Sequence, residues 1–193
     1  MNALILGGGL SRRMGVDKAT LRSPASGEPM LRHLAQLVRP YVEDVYFSLR
    51  PGQELQGLDI PITSRIADRQ GVGGPLAGIL GAMDTVPNRA WLILACDLPL
   101  LDHKPLQQLL GARQGQPFVA FANAERGFPE PLCTIYEPTA RPFIEARQAE
   151  GMTCPRDIIA AAHPELLTLP FADALGNANT PEEWERLCQR ASV

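Results

Sequence analysis

The sequence predicts an α/β fold in three layers, with helices on both faces of a mostly parallel sheet. Short apolar runs alternate along the chain with segments of helical apolar spacing. One run, residues 91–96 (WLILAC), is apolar throughout, as expected of a central parallel strand covered on both faces. Polar motifs follow the predicted strands, where ligands bind in such sheets. With 193 residues, the chain is expected to form a single domain, residues 1–193.

The first part of the chain supplies three strands and one helix. Residues 3–6 form a short buried strand that ends at three glycines. Residues 31–38 carry helical apolar spacing. Residues 44–49 (DVYFSL) are a second strand, closed by an Arg-Pro-Gly turn, and residues 60–66 are a third.

The second part alternates helices and strands. Residues 75–86 form a helix with proline in its first turn, and residues 91–96 are the central strand. Residues 105–112 form a helix and residues 118–122 another strand. A Thr-Pro-Glu-Glu capping box starts a last helix over residues 180–190.

Composition and charge exclude several classes of function. The formal net charge is −3, which argues against broad electrostatic capture of nucleic acid. No run of about 18 apolar residues is present, so we expect no membrane span. The four cysteines include no C-x-x-C pair, and no signal peptide precedes the first strand. We therefore expect reduced thiols, no zinc site and a cytoplasmic protein.

The main motif is the glycine loop that follows the first strand, L-G-G-G-L-S-R-R-M-G-V-D-K over residues 6–18. Glycines let the backbone approach a ligand closely, and successive backbone N–H groups can hold phosphate. A hydroxyl and three cationic side chains add further donors. The candidate triphosphate ligands of this loop are Gly7, Gly8, Gly9, Ser11, Arg12, Arg13 and Lys18.

This loop does not match two familiar nucleotide-binding patterns. The Walker A pattern needs glycine directly before the lysine, but Asp17 precedes Lys18. The dinucleotide fingerprint needs a third glycine where Arg12 stands. A P-loop ATPase and a hydride-transfer enzyme are therefore disfavoured.

The loop resembles the signature of the molybdenum cofactor guanylyltransferases, within the MobA-like nucleotidyltransferases; Gly7 stands where that family usually has alanine. The resemblance continues at Asp68, residues 74–78 (GPLAG), residues 95–99 (ACDLP) and residues 177–181 (NANTP). It implies a Rossmann-like nucleotidyltransferase fold. It also implies transfer of GMP from GTP to the terminal phosphate of molybdopterin, with release of pyrophosphate.

Two aspartates are candidate ligands of a Mg²⁺ cofactor. Asp97 ends the central strand, and Asp68 follows the third predicted strand and resembles the family's other functional aspartate. Mg²⁺ takes oxygen ligands and usually one or two carboxylates, with substrate phosphates and water completing its shell. The alternatives are that Asp97 caps the next turn and that Asp68 pairs with Arg65 or Arg69.

The resemblance also implies where the base binds. It assigns guanine recognition to the first loop and to the glycine-rich start of the helix at residue 75, and favours GTP over CTP. The residues concerned are Leu6, Gly7, Gly8, Gly74, Pro75 and Leu76. The alternative is that this second loop only starts a helix, with Gly78 at a close packing contact. Ser48 stands where the family often has asparagine near the nucleotide.

Fewer residues indicate where the acceptor substrate would bind. Asn177 and Asn179 precede the last helix, and the resemblance assigns them to the acceptor; the alternative is that they are turn residues. Residues 127–132 (GFPEPL) resemble a family segment near the acceptor, and their two prolines predict a turn.

The predicted chemistry needs no general base, because a phosphate monoester is already largely ionised at neutral pH. The three histidines, accordingly, lie outside every motif and are predicted to be surface or helix residues. The expected partners are GTP, a molybdopterin-type acceptor and molybdoenzyme maturation proteins. Two alternatives stay open: a related nucleotidyltransferase that uses CTP or a sugar-phosphate acceptor, and a non-catalytic nucleotide-binding module.

Overall fold

The computed structural model describes residues 1–9, 14–53, 55, 58–123, 127–171 and 173–191. The strands are β1 Asn2–Leu6, β2 Val45–Ser48, β3 Arg65–Ile66, β4 Trp91–Ala95, β5 Phe118–Ala122 and β6 Pro129–Tyr136. The helices are α1 Met30–Val38, α2 Pro75–Thr85, α3 His103–Gly111, α4 Ala140–Ala149, α5 Pro155–Ala161 and α6 Pro181–Ala191. Within the described ranges, no helix combines the length and the apolar character that crossing a membrane requires.

The strands form one six-stranded sheet in the order β3-β2-β1-β4-β6-β5. Strands β3, β2, β1 and β4 pair in parallel, so their carboxyl ends lie at one edge. Strand β6 runs antiparallel to both β4 and β5. The predicted mostly parallel sheet is therefore confirmed. Its exception is β6, which runs antiparallel to both of its neighbours.

Helices cover both faces of this sheet, which confirms the three layers. Because side chains alternate along a strand, Ala3 and Ile5 of β1 face the same core as α1 and α3. Leu4 faces the opposite core, where α2, α4 and α5 pack. The site at the carboxyl edge thus rests on a sheet buried from both sides.

Helix α2 packs closely on the sheet because two of its residues are glycines. A Cβ on Gly81 would lie 2.1 Å from the carbonyl oxygen of Ala67. A Cβ on Gly78 would lie 2.7 Å from Ser48 Oγ and 2.9 Å from a methyl carbon of Leu6. The packing interpretation of Gly78 is confirmed.

Two segments differ from the sequence-based expectations. The third strand is only Arg65–Ile66, and a 3₁₀ turn over Ile62–Ser64 occupies the rest of the predicted run. The turn predicted from Pro129 and Pro131 is wrong, because both lie in β6. Where β6 pairs with β4, only its residues 133–136 take part. Pro129 and Pro131 precede that stretch, so their missing N–H groups cost no hydrogen bond to β4. Helices α4 and α5 had no predicted counterpart.

Candidate active site

A cleft of about 650 Å³ opens at the carboxyl ends of β1, β2 and β4. The glycine loop after β1, the loop before α2 and the segment before α6 contribute to its walls. The described residues that line it are Leu6, Gly8, Gly9, Lys18, Ser48, Asp68, Gly74, Pro75, Ala95, Cys96, Asp97, Leu132 and Asn179. The cleft therefore lies where ligands bind in parallel α/β sheets.

Most predicted site residues meet in this cleft. Those brought together are Leu6, Gly8, Gly9, Lys18, Asp68, Gly74, Pro75, Asp97 and Asn179. Asn177 is exposed and is not among the lining residues. Ser11, Arg12 and Arg13 lie outside the described residues, so their predicted roles stay predictions.

Two residues of the predicted GTP site lie beneath the cleft instead. Leu76 is fully buried and packs in the core on the α2 face of the sheet. A Cβ on Gly7 would meet Leu49 at 3.0 Å and Leu31 at 3.2 Å, both in the opposite core. These positions shape the walls from behind, and neither lines the cleft. The roles that the resemblance assigns to these two positions stay predictions, and any contact they make with a nucleotide would be through the backbone.

Lys18 lies at the centre of the site. A 3₁₀ turn, Lys18–Thr20, begins here, and the Asp17 side chain caps it by accepting from Ala19 N at 3.1 Å. Lys18 Nζ donates to Asp97 Oδ2 at 2.7 Å and to Asn179 Oδ1 at 2.8 Å. The lysine thus joins the loop after β1, the end of β4 and the segment before α6.

The start of α6 holds Asn179 in place. Glu183 Oε2 accepts from the backbone N–H of Asn179 at 2.7 Å, and Glu183 N donates to Thr180 Oγ1 at 3.3 Å. This is the predicted capping box, with the glutamate reaching one residue further back. These bonds hold the backbone of Asn179, whose side-chain oxygen accepts from Lys18.

Asp68 is held by a hydroxyl. Ser48 Oγ donates to Asp68 Oδ1 at 2.9 Å. The two arginines considered as its partners bond elsewhere: Arg69 donates to Asp84 at 2.7 Å, and Arg65 donates to the carbonyl of Ile60 at 3.3 Å. Ser48, which stands where the resembling family often has asparagine, therefore orients a carboxylate of the cleft.

The donor set fits a Mg²⁺ ion that is shared with a substrate. Asp68 and Asp97 bring two carboxylates to one cleft. No cluster of three or more His, Cys, Asp or Glu side chains suited to a metal occurs among the described residues. Since Mg²⁺ usually takes one or two carboxylates and completes its shell with water and substrate oxygens, two carboxylates in one cleft are compatible with such an ion.

Cys96 lines the cleft but is unsuited to act as a nucleophile. Burial raises the pKa of its thiol well above the ordinary range, and the neighbouring Asp97 carboxylate raises the pKa further. At neutral pH the side chain is a neutral thiol. The cleft therefore holds no activated cysteine among its described lining residues.

Two residues behind the glycine loop were not singled out from the sequence. Gln53 donates to the carbonyl of Gly7, and Arg50 donates to the carbonyls of Gly8 and Gly9. Both follow β2, more than 40 positions after the loop that they contact. The only sequence signal was an Arg-Pro-Gly turn, which says nothing about distant carbonyl groups.

Comparisons with known proteins agree with this geometry. The family model of the MobA-like NTP transferase domain matches residues 3–166. A molybdenum cofactor biosynthesis bifunctional protein of Synechocystis is 36% identical over 185 residues, 95% of this chain but 52% of that protein. The chain therefore spans about half the length of that relative. A probable molybdenum cofactor guanylyltransferase of Synechococcus elongatus is 34% identical over 190 residues, 96% of each chain.

The fold has close counterparts among solved structures. Molybdopterin-guanine dinucleotide biosynthesis protein A from Archaeoglobus fulgidus superposes with a TM-score of 0.70. The match covers 100% of this chain and 99% of the other, at 20% sequence identity. This likeness confirms the predicted Rossmann-like nucleotidyltransferase fold.

Proposed function

The chain belongs to the MobA-like NTP transferase domain family, and from that premise we propose that it transfers GMP from GTP to the terminal phosphate of molybdopterin. Its curated relatives support nucleotidyl transfer in molybdenum cofactor biosynthesis. The observation that carries the proposal is the position of Lys18 Nζ. It lies between the Asp97 carboxylate and the Asn179 amide, in the cleft that Gly8 and Gly9 also line.

The reaction is a substitution at phosphorus. An oxygen of the acceptor phosphate bonds to the α-phosphorus of GTP, the bond to the β-phosphate bridging oxygen breaks, and pyrophosphate leaves with that electron pair. Backbone N–H groups at Gly8 and Gly9 and the Lys18 ammonium bind the phosphates and offset their charge. A Mg²⁺ ion held by Asp97 and Asp68 would supply further positive charge at the same phosphates.

No protein base is required in this scheme. The second pKa of a phosphate monoester is about 6, so the attacking oxygen is already ionised at neutral pH. In keeping with this, none of the described residues that line the cleft is a histidine. Positioning and charge therefore provide the catalysis.

The lining residues are assigned to two substrates. We assign Gly74 and Pro75 to the guanine nucleotide and Asn179 and Leu132 to the acceptor; all four line the cleft. We assign the reaction to the cytoplasm, where product would pass to molybdoenzyme maturation proteins.

The first test is calorimetric titration with GTP, CTP and ATP, each with and without Mg²⁺. Wild type is compared with Asp97→Asn and with Asp59→Asn, which removes an exposed carboxylate that is not among the lining residues. We expect selective, Mg²⁺-dependent GTP binding that Asp97→Asn weakens and Asp59→Asn leaves unchanged. Preference for CTP would assign the chain to a cytidylyl-transferring branch, and no triphosphate binding would indicate a domain without donor-site function.

The acceptor is tested by pyrophosphate release. With GTP present, molybdopterin is expected to give turnover and sugar phosphates none. Turnover with a sugar phosphate alone would contradict the proposed acceptor while leaving the nucleotidyl transfer intact.

A further inference from the structure

The glycine loop is held from behind by a hydrogen-bonded unit that follows β2. Gln53 Nε2 donates to the carbonyl of Gly7 at 3.0 Å and to Asp17 Oδ2 at 2.7 Å. Gln53 Oε1 accepts from the backbone N–H of Arg50 at 2.9 Å. Only 6% of Gln53 is exposed, so a buried amide has both of its polar ends bonded.

Arg50 continues the same contact along the loop. Its Nη1 donates to the carbonyl of Gly8 at 2.9 Å and to the carbonyl of Gly9. Its Nη2 lies 3.4 Å from Asp17 Oδ2. Three successive carbonyl groups, those of Gly7, Gly8 and Gly9, are therefore bonded by two side chains from another loop.

The planarity of the peptide group gives these bonds a direction. In a trans peptide the C=O and the N–H point to opposite sides. When the carbonyls of Gly7 and Gly8 face Gln53 and Arg50, the N–H groups of Gly8 and Gly9 face the other way. Gly8 and Gly9 line the cleft, whereas Gln53 and Arg50 do not. The bonded carbonyls thus direct N–H donors toward the ligand.

Asp17 links this unit to Lys18. Its carboxylate caps the turn that begins at Lys18 and accepts from Gln53 and Arg50. The carbonyls of Gly7, Gly8 and Gly9 and the turn that begins at Lys18 are therefore linked through the same two side chains. A rotation of the glycine peptides would turn carbonyl dipoles toward a polyanion and remove the cradle for it.

We propose that Arg50 and Gln53 are positioning residues for the phosphate cradle. They hold the glycine carbonyls on the far side of the loop, so that the backbone N–H groups are preorganised to receive the β- and γ-phosphates of a nucleoside triphosphate. The ligand in this inference rests on the proposed function. The orientation of the loop rests on the bonds alone.

The first measurement follows amide hydrogen exchange at Gly7, whose N–H donates to the carbonyl of Ser48 at 3.0 Å, without nucleotide. The variant is Gln53→Leu, which is close in size and removes all three hydrogen bonds of the side-chain amide without changing the charge. Losing hydrogen bonds to two glycine-loop groups is expected to raise the exchange rate about tenfold. Arg65→Met is the matched control, because Arg65 also donates to a backbone carbonyl, but to Ile60. Equal exchange in Gln53→Leu and wild type would overturn the inference.

The second measurement compares binding of GTP and GMP by calorimetry. Gln53→Leu is expected to weaken GTP about tenfold and GMP less than about twofold, since GMP lacks the phosphates that the cradle receives. A general loss of structure would weaken both equally, so equal weakening contradicts a positioning role. Arg50→Met, at a partly exposed side chain, is the second variant should Gln53→Leu fail to fold.

The two measurements separate this inference from the proposed function. If wild type binds no triphosphate, the proposed function fails, and the exchange comparison still decides whether Gln53 and Arg50 hold the loop. If wild type binds GTP and the ratio of GTP to GMP affinity is unchanged in Gln53→Leu, the positioning role fails and the proposed function stands.

Discussion

The Lys18 ammonium lies 2.7 Å from the Asp97 carboxylate, although 79 residues separate them in the chain. Their side chains are only 14% and 16% exposed. An ion pair this sheltered is screened less by water and salt than one at the surface. The pair therefore brings together two chain segments and places opposite charges where phosphates are proposed to bind.

Lys18→Met and Asp97→Asn are each expected to lower kcat/KM by about 100-fold or more, because each removes charge that acts on the transferring phosphates. Steady-state pyrophosphate release measures the loss. Circular dichroism checks that both variants fold. Wild-type turnover in either folded variant would contradict the assigned roles.

The same pair has a predicted effect on stability. Each single variant removes one charge of the ion pair and leaves the opposite charge sheltered, whereas Lys18→Met combined with Asp97→Asn removes both charges. We expect the double variant to lose less unfolding free energy than the two single variants lose in sum, and the difference, the coupling energy, to be about 0.5–3 kcal/mol. Urea unfolding of the four proteins measures it. Additive losses would mean that the two side chains do not interact in solution.

Gly81→Ala is expected to destabilise the fold by about 1–3 kcal/mol, because the new Cβ would lie 2.1 Å from the Ala67 carbonyl and force α2 away from β3. Gly111→Ala, at the end of α3, is the control. A Cβ there would meet no described atom within 4 Å, and alanine favours the helix. Thermal melting compares them: the first should melt lower than wild type, the second at the same temperature or slightly higher.

Ser48→Ala is expected to weaken Mg²⁺-dependent triphosphate binding about 3- to 10-fold. The change removes the 2.9 Å hydrogen bond that orients Asp68 and leaves the fold intact. Calorimetry with and without Mg²⁺ measures the effect. Equal weakening in both conditions would argue that Ser48 contacts the nucleotide and not the carboxylate that serves the metal.

The stability of the protein is expected to fall as the pH drops below about 6.5, the ordinary pKa of histidine. Burial lowers the pKa of His33, and the charge of His103 lowers the pKa further. The buried Nε2 of His33 has no hydrogen-bond partner among the described residues. The unfolded chain therefore takes up the proton first. Stability is fully present above the unfolded pKa and is lost as the pH falls through the lower folded pKa.

His33→Gln isolates this effect. Its unfolding free energy should change less than that of wild type between about pH 7.5 and pH 5.5. His163→Asn is the control, since His163 is exposed and asparagine accepts its φ of 47°. If His33→Gln keeps the full pH dependence of wild type, another group is responsible.

The sequence predicted best those features that follow directly from a strand. Lys18 and Asp97 were found because the glycine loop and the aspartate come just after apolar runs that end at one edge of the sheet. The sequence did not show that the Leu76 side chain packs in the core: a helix turns about 100° per residue, so the neighbour of a lining proline faces the sheet.

Long-range contacts set the limit of that prediction. The bonds from Gln53 and Arg50 to the glycine carbonyls depend on backbone groups, which every sequence has. Pro129 and Pro131 indicated a turn because the sequence does not show where the neighbouring strand ends. Both features depend on how segments come together in space.

The bond between Lys18 and Asn179 spans 161 positions of the chain, and this has a consequence for biosynthesis. On the ribosome, the four parallel strands and Asp97 emerge well before Asn179 is translated. Long-range contacts of this kind form late, after their loops have closed. A nascent chain can therefore form the bond between Lys18 and Asn179 only after the four parallel strands and Asp97 have already been made.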